Sequence, residues 1–129
     1  VFIDASVIVA ILSKEPDATE FANQIEAAEG LTSAVVILES AMSLSTKLGL
    51  DPVVVETRIQ AFLHEARLKL APMDAATASP AVKAFADYGK GRGHPAQLNL
   101  ADCLSYACAK AQGVPLLYKG KDVSHTDLG

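Results

Sequence analysis

Three carboxylates in this chain stand alone in apolar surroundings. Asp4 is the only charged side chain before Lys14, Glu39 the only one between Glu29 and Lys47, and Asp102 the only one between Arg92 and Lys110. A carboxylate on a buried or half-buried surface is costly unless it is paired, hydrogen-bonded or bound to a metal. No lysine or arginine lies within a helical turn of Glu39 or Asp102, so neither acid has a local counter-ion. Brought together, such acids repel one another and their pKa values rise unless a divalent cation neutralises them. A set of Asp and Glu oxygens without His or Cys is the set that Mg²⁺ or Mn²⁺ prefers. The pattern therefore points to the chemistry of a bound divalent cation.

Each acid also has a plainer reading. Asp4 follows an apolar run directly, where an acid often caps the next helix. Glu39 or Asp102, taken singly, suits a distant arginine or an exposed stripe. The isolation of all three together favours a shared site. Asp74 reads as a helix cap. The spacing of Asp122, with Lys119 and Lys121 close before it, says little. Ser6 is placed to hydrogen-bond a metal ligand or a phosphate, or to act as a cap. Asn99 and Tyr106 share the helix face of Asp102, Asn99 as a supporting residue and Tyr106 as packing.

Other chemistries find no support. His64, His94 and His125 form neither HxxxH nor HExxH, which argues against zinc. No GxxxxGK[ST] or GxGxxG occurs, and Asp4-Ala5-Ser6 lacks the second acid of a DxD phosphohydrolase. Cys103 and Cys108 point to different faces of one expected helix and read as small core residues.

The elements that must position these residues follow from periodicity. VFID is a short apolar run of the kind buried on both faces of a parallel sheet. A helix is expected over 5–15, and another over 16–30, started by Pro16-Asp17 and stopped by Gly30. LTSA reads as the second strand. A helix over 34–49, closed by Gly49, carries Glu39, and Asp51-Pro52 starts the next over 52–69. LAPM reads as the third strand and 74–91 as a helix that Pro80 splits or restarts. GRGHPAQ is a loop, LNLADCLSYACAKA a helix, VPLLY the fourth strand and KGKDVSHTDLG a loop or short turn. Strands alternating with helices give an α/β class with a central parallel sheet. In such sheets ligands gather beyond the carboxyl ends of the strands, where Asp4, Asp74 and Asp122 are expected.

A chain of 129 residues, 50% hydrophobic and 20% charged, reads as one soluble domain over 1–129. No apolar run approaches the ~18 residues of a membrane span. The first residues lack a basic leader, so a cytoplasmic location is expected. The net charge of −4 argues against a nucleic-acid partner at first sight. Four carboxylates committed to a cation would leave the other charges balanced, and Lys90 with Arg92, or Lys119 with Lys121, would remain to meet phosphates.

FIDASVIVAILSKEP at the start, the helix of Glu39, NLADCLSYACAKAQGVPLLYKGKDVSHTDL at the end, and the order between them resemble a PIN-domain protein of the VapC toxin type, across essentially the whole chain. The resemblance implies a three-layer α/β/α fold with a central parallel β-sheet, and a metal-dependent endoribonuclease of a type II toxin–antitoxin module. It places the metal ligands on Asp4, Glu39, Asp102 and, in the GxD element, Asp122, with Ser6 matching the family's small hydroxyl residue. Val123 stands where the family usually has an aromatic, and Lys121 where an acidic or small residue is common. Also implied are Mg²⁺ or Mn²⁺, RNA ends carrying 5′-phosphate and 3′-hydroxyl, a homodimer, and a VapB-type antitoxin whose tail covers the site with an arginine against the acids. The helix faces over 17–29 and 52–69 suit either contact, and core packing accounts for their stripes equally well. A PIN module that only binds protein or RNA, and a metal-dependent phosphatase, are the competing readings; the first is expected to lack one of the acids, and all four are present. The family's last strand is expected to lie beyond Gly129.

Overall fold

The computed structural model describes residues 1–129. Four two-residue strands, β1 (Phe2–Ile3), β2 (Leu31–Thr32), β3 (Lys69–Leu70) and β4 (Leu116–Leu117), form one parallel sheet in the order β3-β2-β1-β4. Six helices connect them: α1 (Ala5–Leu12) and α2 (Ala18–Glu26), α3 (Ala34–Leu48) and α4 (Pro52–Glu65), α5 (Ala75–Tyr88) and α6 (Leu100–Gln112). Two crossovers run outward from β1 and the third returns past it to β4. Right-handed crossovers of opposite direction put their helices on opposite faces. In keeping with this, α1 packs on α2 and α3, α3 on α4, and α5 on α6, with α6 lying on β1 and β4. The result is a PIN-like three-layer α/β/α arrangement. The chain reverses its direction across the sheet between β1 and β4, the crevice where open α/β sheets bind ligands.

Strand β1 is the most deeply buried because it is paired on both sides and covered on both faces. Phe2 and Ile3 are fully buried, together with Val7, Ile8, Leu44, Ile59 and Leu98, in one continuous core. Edge strand β3 has both residues exposed, which is why its hydrophobic signal pointed to the wrong place. The strand is Lys69–Leu70 and not 70–73, and Ala71, buried, is the residue that joins the core beyond it.

Capping explains most helix starts. Ser33, Asp51, Asp74 and Asn99 each accept a backbone N–H of the first turn. Gly49 and Gly113 end α3 and α6 in the left-handed conformation, with φ of 65° at each. Three expectations change. The first helix ends at Leu12, and Lys14 turns the chain with φ of 57°. The second ends at Glu26 rather than Gly30, whose place is packing: a Cβ there would fall 2.2 Å from Leu68 Cδ2. Pro80 neither splits nor restarts α5, which runs through it. Cys103 and Cys108 are buried and unpaired, as read from the sequence. No helix is long and apolar enough to cross a membrane.

Candidate active site

The carboxyl end of β1 delivers Asp4 into the crevice. Its backbone N–H donates to Leu117 O (3.0 Å), tying it to β4, and its side chain caps α1 by accepting Ser6 N–H (3.1 Å). The same oxygen, Oδ2, accepts the Ser6 hydroxyl (2.7 Å), and Ser6 Oγ in turn accepts Lys119 N–H (2.8 Å). Asp4 thus caps α1 and lines the cleft at once. Capping uses Oδ2, while Oδ1 has no partner within the chain.

Asp102 is placed by a different device with the same outcome. Asn99 and Asp102 form a capping box at the start of α6: Asp102 N–H donates to Asn99 Oδ1 (2.9 Å), and Asn99 N–H donates to Asp102 Oδ2 (3.1 Å). One carboxylate oxygen is again committed and the other free. Both acids stand at helix N-termini, where the aligned peptide dipoles favour negative charge.

Glu39 has no such help. It lies in the middle of α3, half-buried, and makes no hydrogen bond or ion pair. Burial, followed by the nearby charges of Asp4 and Asp102, pushes its pKa from 4.5 to about 7. For Asp102, burial outweighs the Asn99 hydrogen bond that stabilises its charge, and with Asp4 and Asp122 adding repulsion the pKa rises from 3.8 to about 6. Asp122 is exposed at the start of a 3₁₀ turn, Val123–His125, five residues beyond β4.

All four acids line one cleft of about 290 Å³, together with Ser6, Ser43, Tyr118, Lys119, Gly120 and Lys121. No three of them close on a common point as a finished ligand cage. In donor type and charge the set fits a hard divalent cation: oxygens only, free lone pairs on Asp4, Glu39 and Asp102, and repulsion that a cation relieves.

The remaining candidates separate clearly. Asn99 acts on Asp102 through the cap and does not line the cleft. Lys90 and Arg92 lie on the exposed loop before α6, outside the cleft, with the Arg92 guanidinium 5.8 Å from the centre of the Phe85 ring. Lys119 lines the cleft but its ammonium is bound by Glu15 and Asp17. Lys121 is exposed and without an acidic partner. Ser43 was missed, although its position four residues after Glu39 puts it on the same helix face. Glu15 was missed as well; beside Lys14 it reads as ordinary surface charge. Tyr106 packs on α5 as expected and also donates to Asp127, which accepts Tyr88 and pairs with Lys110.

A parallel α/β/α domain with four carboxylates at its switch point defines a class of acidic-site domains. Comparison with known proteins gives that class its name: the PIN domain family model matches residues 1–128, and the chain belongs to the PIN-domain family. Its relatives include a VapC ribonuclease of Rhizobium meliloti (strain 1021), 39% identical over 140 residues covering 99% of both chains. Ribonuclease VapC30 of Mycobacterium tuberculosis (strain ATCC 25618 / H37Rv) is 43% identical over 127 residues, covering 98% of this chain and 94% of the relative. A VapC ribonuclease of Mycobacterium bovis shows the same identity and coverage.

Proposed function

We propose that this protein is a Mg²⁺- or Mn²⁺-dependent endoribonuclease, the VapC-type toxin of a type II toxin–antitoxin module, acting in the cytoplasm as one domain over 1–129. The observation that carries this reading is the gathering of Asp4, Glu39, Asp102 and Asp122, from four separate stretches of chain, around one cleft without a cationic partner for Glu39 or Asp102. Near full-length similarity to VapC ribonucleases supports RNA as the substrate.

Asp4, Glu39 and Asp102 would hold the cation, with Asp122 completing the set. A bound divalent cation supplies activation of water for attack on phosphorus and neutralisation of charge on the phosphate. The chain itself supplies orientation. Ser6 and Asn99 each fix one oxygen of an acid, so the second oxygen meets its ligand without first being ordered. Glu39, whose pKa burial raises, would be deprotonated when serving as a ligand. Lys121 is free to meet a phosphate at the rim, and Lys90 and Arg92 to meet strand further along; phosphate contacts of this kind position RNA without reading its sequence.

Partners follow from exposed apolar side chains. Leu38 and Met42 on α3, Val53 and Val54 on α4, Val82 and Phe85 on α5, and Leu100 at the start of α6 are exposed. They support burial against a second copy and a VapB-type antitoxin. The face of α4 named from sequence is represented by its first turn; α2 exposes no large apolar side chain.

The test is cleavage of a labelled single-stranded RNA by antitoxin-free protein with Mg²⁺ or Mn²⁺, beside EDTA and Asp102→Asn controls. Internal cuts lost in both controls, leaving 5′-phosphate and 3′-hydroxyl ends, are expected. Cutting that persists in the Asp102→Asn protein would rule out this site, and hydrolysis of p-nitrophenyl phosphate without RNA cleavage would replace the nuclease by a phosphatase.

A further inference from the structure

One lysine is built into the wall of the acidic cleft and yet touches none of its acids. Lys119 lines the cleft, and its backbone N–H donates to Ser6 Oγ (2.8 Å), whose hydroxyl donates to Asp4 Oδ2 (2.7 Å). Its flexible four-carbon stem therefore starts two hydrogen bonds from a carboxylate. Opposite charges in a half-buried cleft attract strongly, and Glu39 and Asp102 have no cation of their own. The ammonium instead turns away to Glu15 and to Asp17 Oδ1 (3.1 Å), 104 and 102 residues earlier in the chain.

The acids that hold it are themselves fastened. Glu15 divides its oxygens, Oε1 to Lys119 and Oε2 to Lys47 (2.9 Å) and the Ser13 hydroxyl (3.2 Å). Lys47 also donates to Ser13 Oγ (3.0 Å). Ser13 Oγ is anchored on Val9 O (2.6 Å), and Glu15 N–H donates to Ala10 O (2.9 Å) after the left-handed turn at Lys14. Glu15 thus joins the end of α1, the last turn of α3 and the segment after β4, the three elements that also carry Asp4, Glu39 and Asp122.

We propose that Glu15 and Asp17 sequester the Lys119 ammonium, keeping it from acting as an internal counter-ion to the cleft acids and leaving those acids free for a divalent cation. This rests on the metal-dependent reading above and assigns Glu15 and Asp17 as positioning residues that touch neither substrate nor cation. Released, Lys119 would swing onto Asp4 or its neighbours and compete with the metal for the same oxygens.

The experiment measures Mn²⁺ affinity by calorimetry, with free Mn²⁺ followed by EPR, in a cycle of variants. Glu15→Gln/Asp17→Asn opens the latch and is expected to weaken Mn²⁺ about tenfold, a single unit of the affinity scale. Lys119→Met in the wild-type background is expected to shift affinity less than about threefold, the size of a screened, distant charge. Placed on the open latch, Lys119→Met is expected to restore affinity to near wild type. That non-additivity is the signature of sequestration; charges acting only through space contribute equally in both backgrounds. Glu15→Gln alone, which keeps Asp17 as an anchor, gives a smaller loss reversed in the same way if the double variant does not fold. Additive effects, or no rescue, overturn the proposal while leaving the metal site in place. A wild-type protein that binds no Mn²⁺ overturns both.

Discussion

Glu15 and Glu39 are the same side chain put to opposite uses. Hydrogen bonds from Lys119 and then Lys47 bring the pKa of Glu15 from 4.5 down to about 2. Glu39, deprived of water by burial and facing Asp4 and Asp102, is pushed from 4.5 up to about 7. The fold satisfies the first carboxylate with its own cations and leaves the second without one. An acid satisfied within the chain stabilises the fold, whereas an acid left unsatisfied is a cost that only a ligand removes. On the proposed reading, that difference separates structural from functional carboxylates here.

Cleavage breaks the pair apart most strongly. Asp4→Asn, Asp102→Asn and Glu39→Gln are each expected to reduce RNA cleavage by about 10³-fold or more, through loss of cation-dependent transition-state stabilisation. Glu15→Gln, assayed at saturating Mn²⁺, should stay within about tenfold of wild type. Comparable losses for Glu15→Gln and Glu39→Gln under that condition would erase the distinction.

Stability against pH gives the next largest separation, and the signs are opposite. The folded pKa of Glu39 lies above its ordinary value, so the folded state binds the extra proton and metal-free stability falls as pH rises from 4.5 through about 7. Asp102 adds to the same decline between 3.8 and about 6. Glu15 does the reverse: its contribution is present above 4.5 and is lost as pH falls toward about 2. In EDTA at pH 8, Glu39→Gln should therefore melt several degrees higher than wild type and flatten the decline above pH 5. Glu15→Gln should melt lower by about 3 °C, the scale of a small exposed ion-pair network. Thermal scans across pH 4 to 9 check both.

Mn²⁺ sharpens the contrast further. If the proposed site holds, a cation would displace protons held by Glu39 and Asp102, so the rise in Tm on adding Mn²⁺ should be larger at pH 8 than at pH 5.5. The increment should vanish in Asp4→Asn and persist in Glu15→Gln at high Mn²⁺. Equal increments at the two pH values would show that these protons are not linked to binding.

The two glutamates also differ in how far they were legible beforehand. Glu39 stands out in a run of apolar and small residues, as do Asp4 and Asp102, because a charge is costly in a stretch that must be buried. The α/β class was readable for a related reason, since alternating short apolar runs and helical stripes admit few layered arrangements. Asp122 follows Lys119 and Lys121 closely, and only its likeness to a family motif singled it out. Glu15 was invisible: its partners lie 32 and 104 residues away, and no local pattern encodes a contact that the fold alone creates. Boundaries failed where one residue served packing instead of termination. Gly30 suggests a helix stop but is there to admit Leu68, and exposed Lys69–Leu70 makes an edge strand without a hydrophobic signature.

The smallest effect concerns the residue beside Glu39. Ser40 is fully buried and its hydroxyl has no hydrogen-bond partner, the only buried side-chain polar atom so placed. Removing an unsatisfied buried hydroxyl is favourable by about 1 kcal/mol, so Ser40→Ala should raise Tm by about 4 °C for a chain of this size. Two explanations of the orphan then divide. If Ser40 merely tolerates its burial, Ser40→Ala gains stability and leaves Mn²⁺ affinity and cleavage unchanged. If its hydroxyl holds a water that reaches the cleft, the same substitution loses Mn²⁺ affinity despite the gain in Tm. The first outcome confines the unsatisfied polar groups that matter for function to the carboxylates themselves, and the second extends the site one residue deeper along α3.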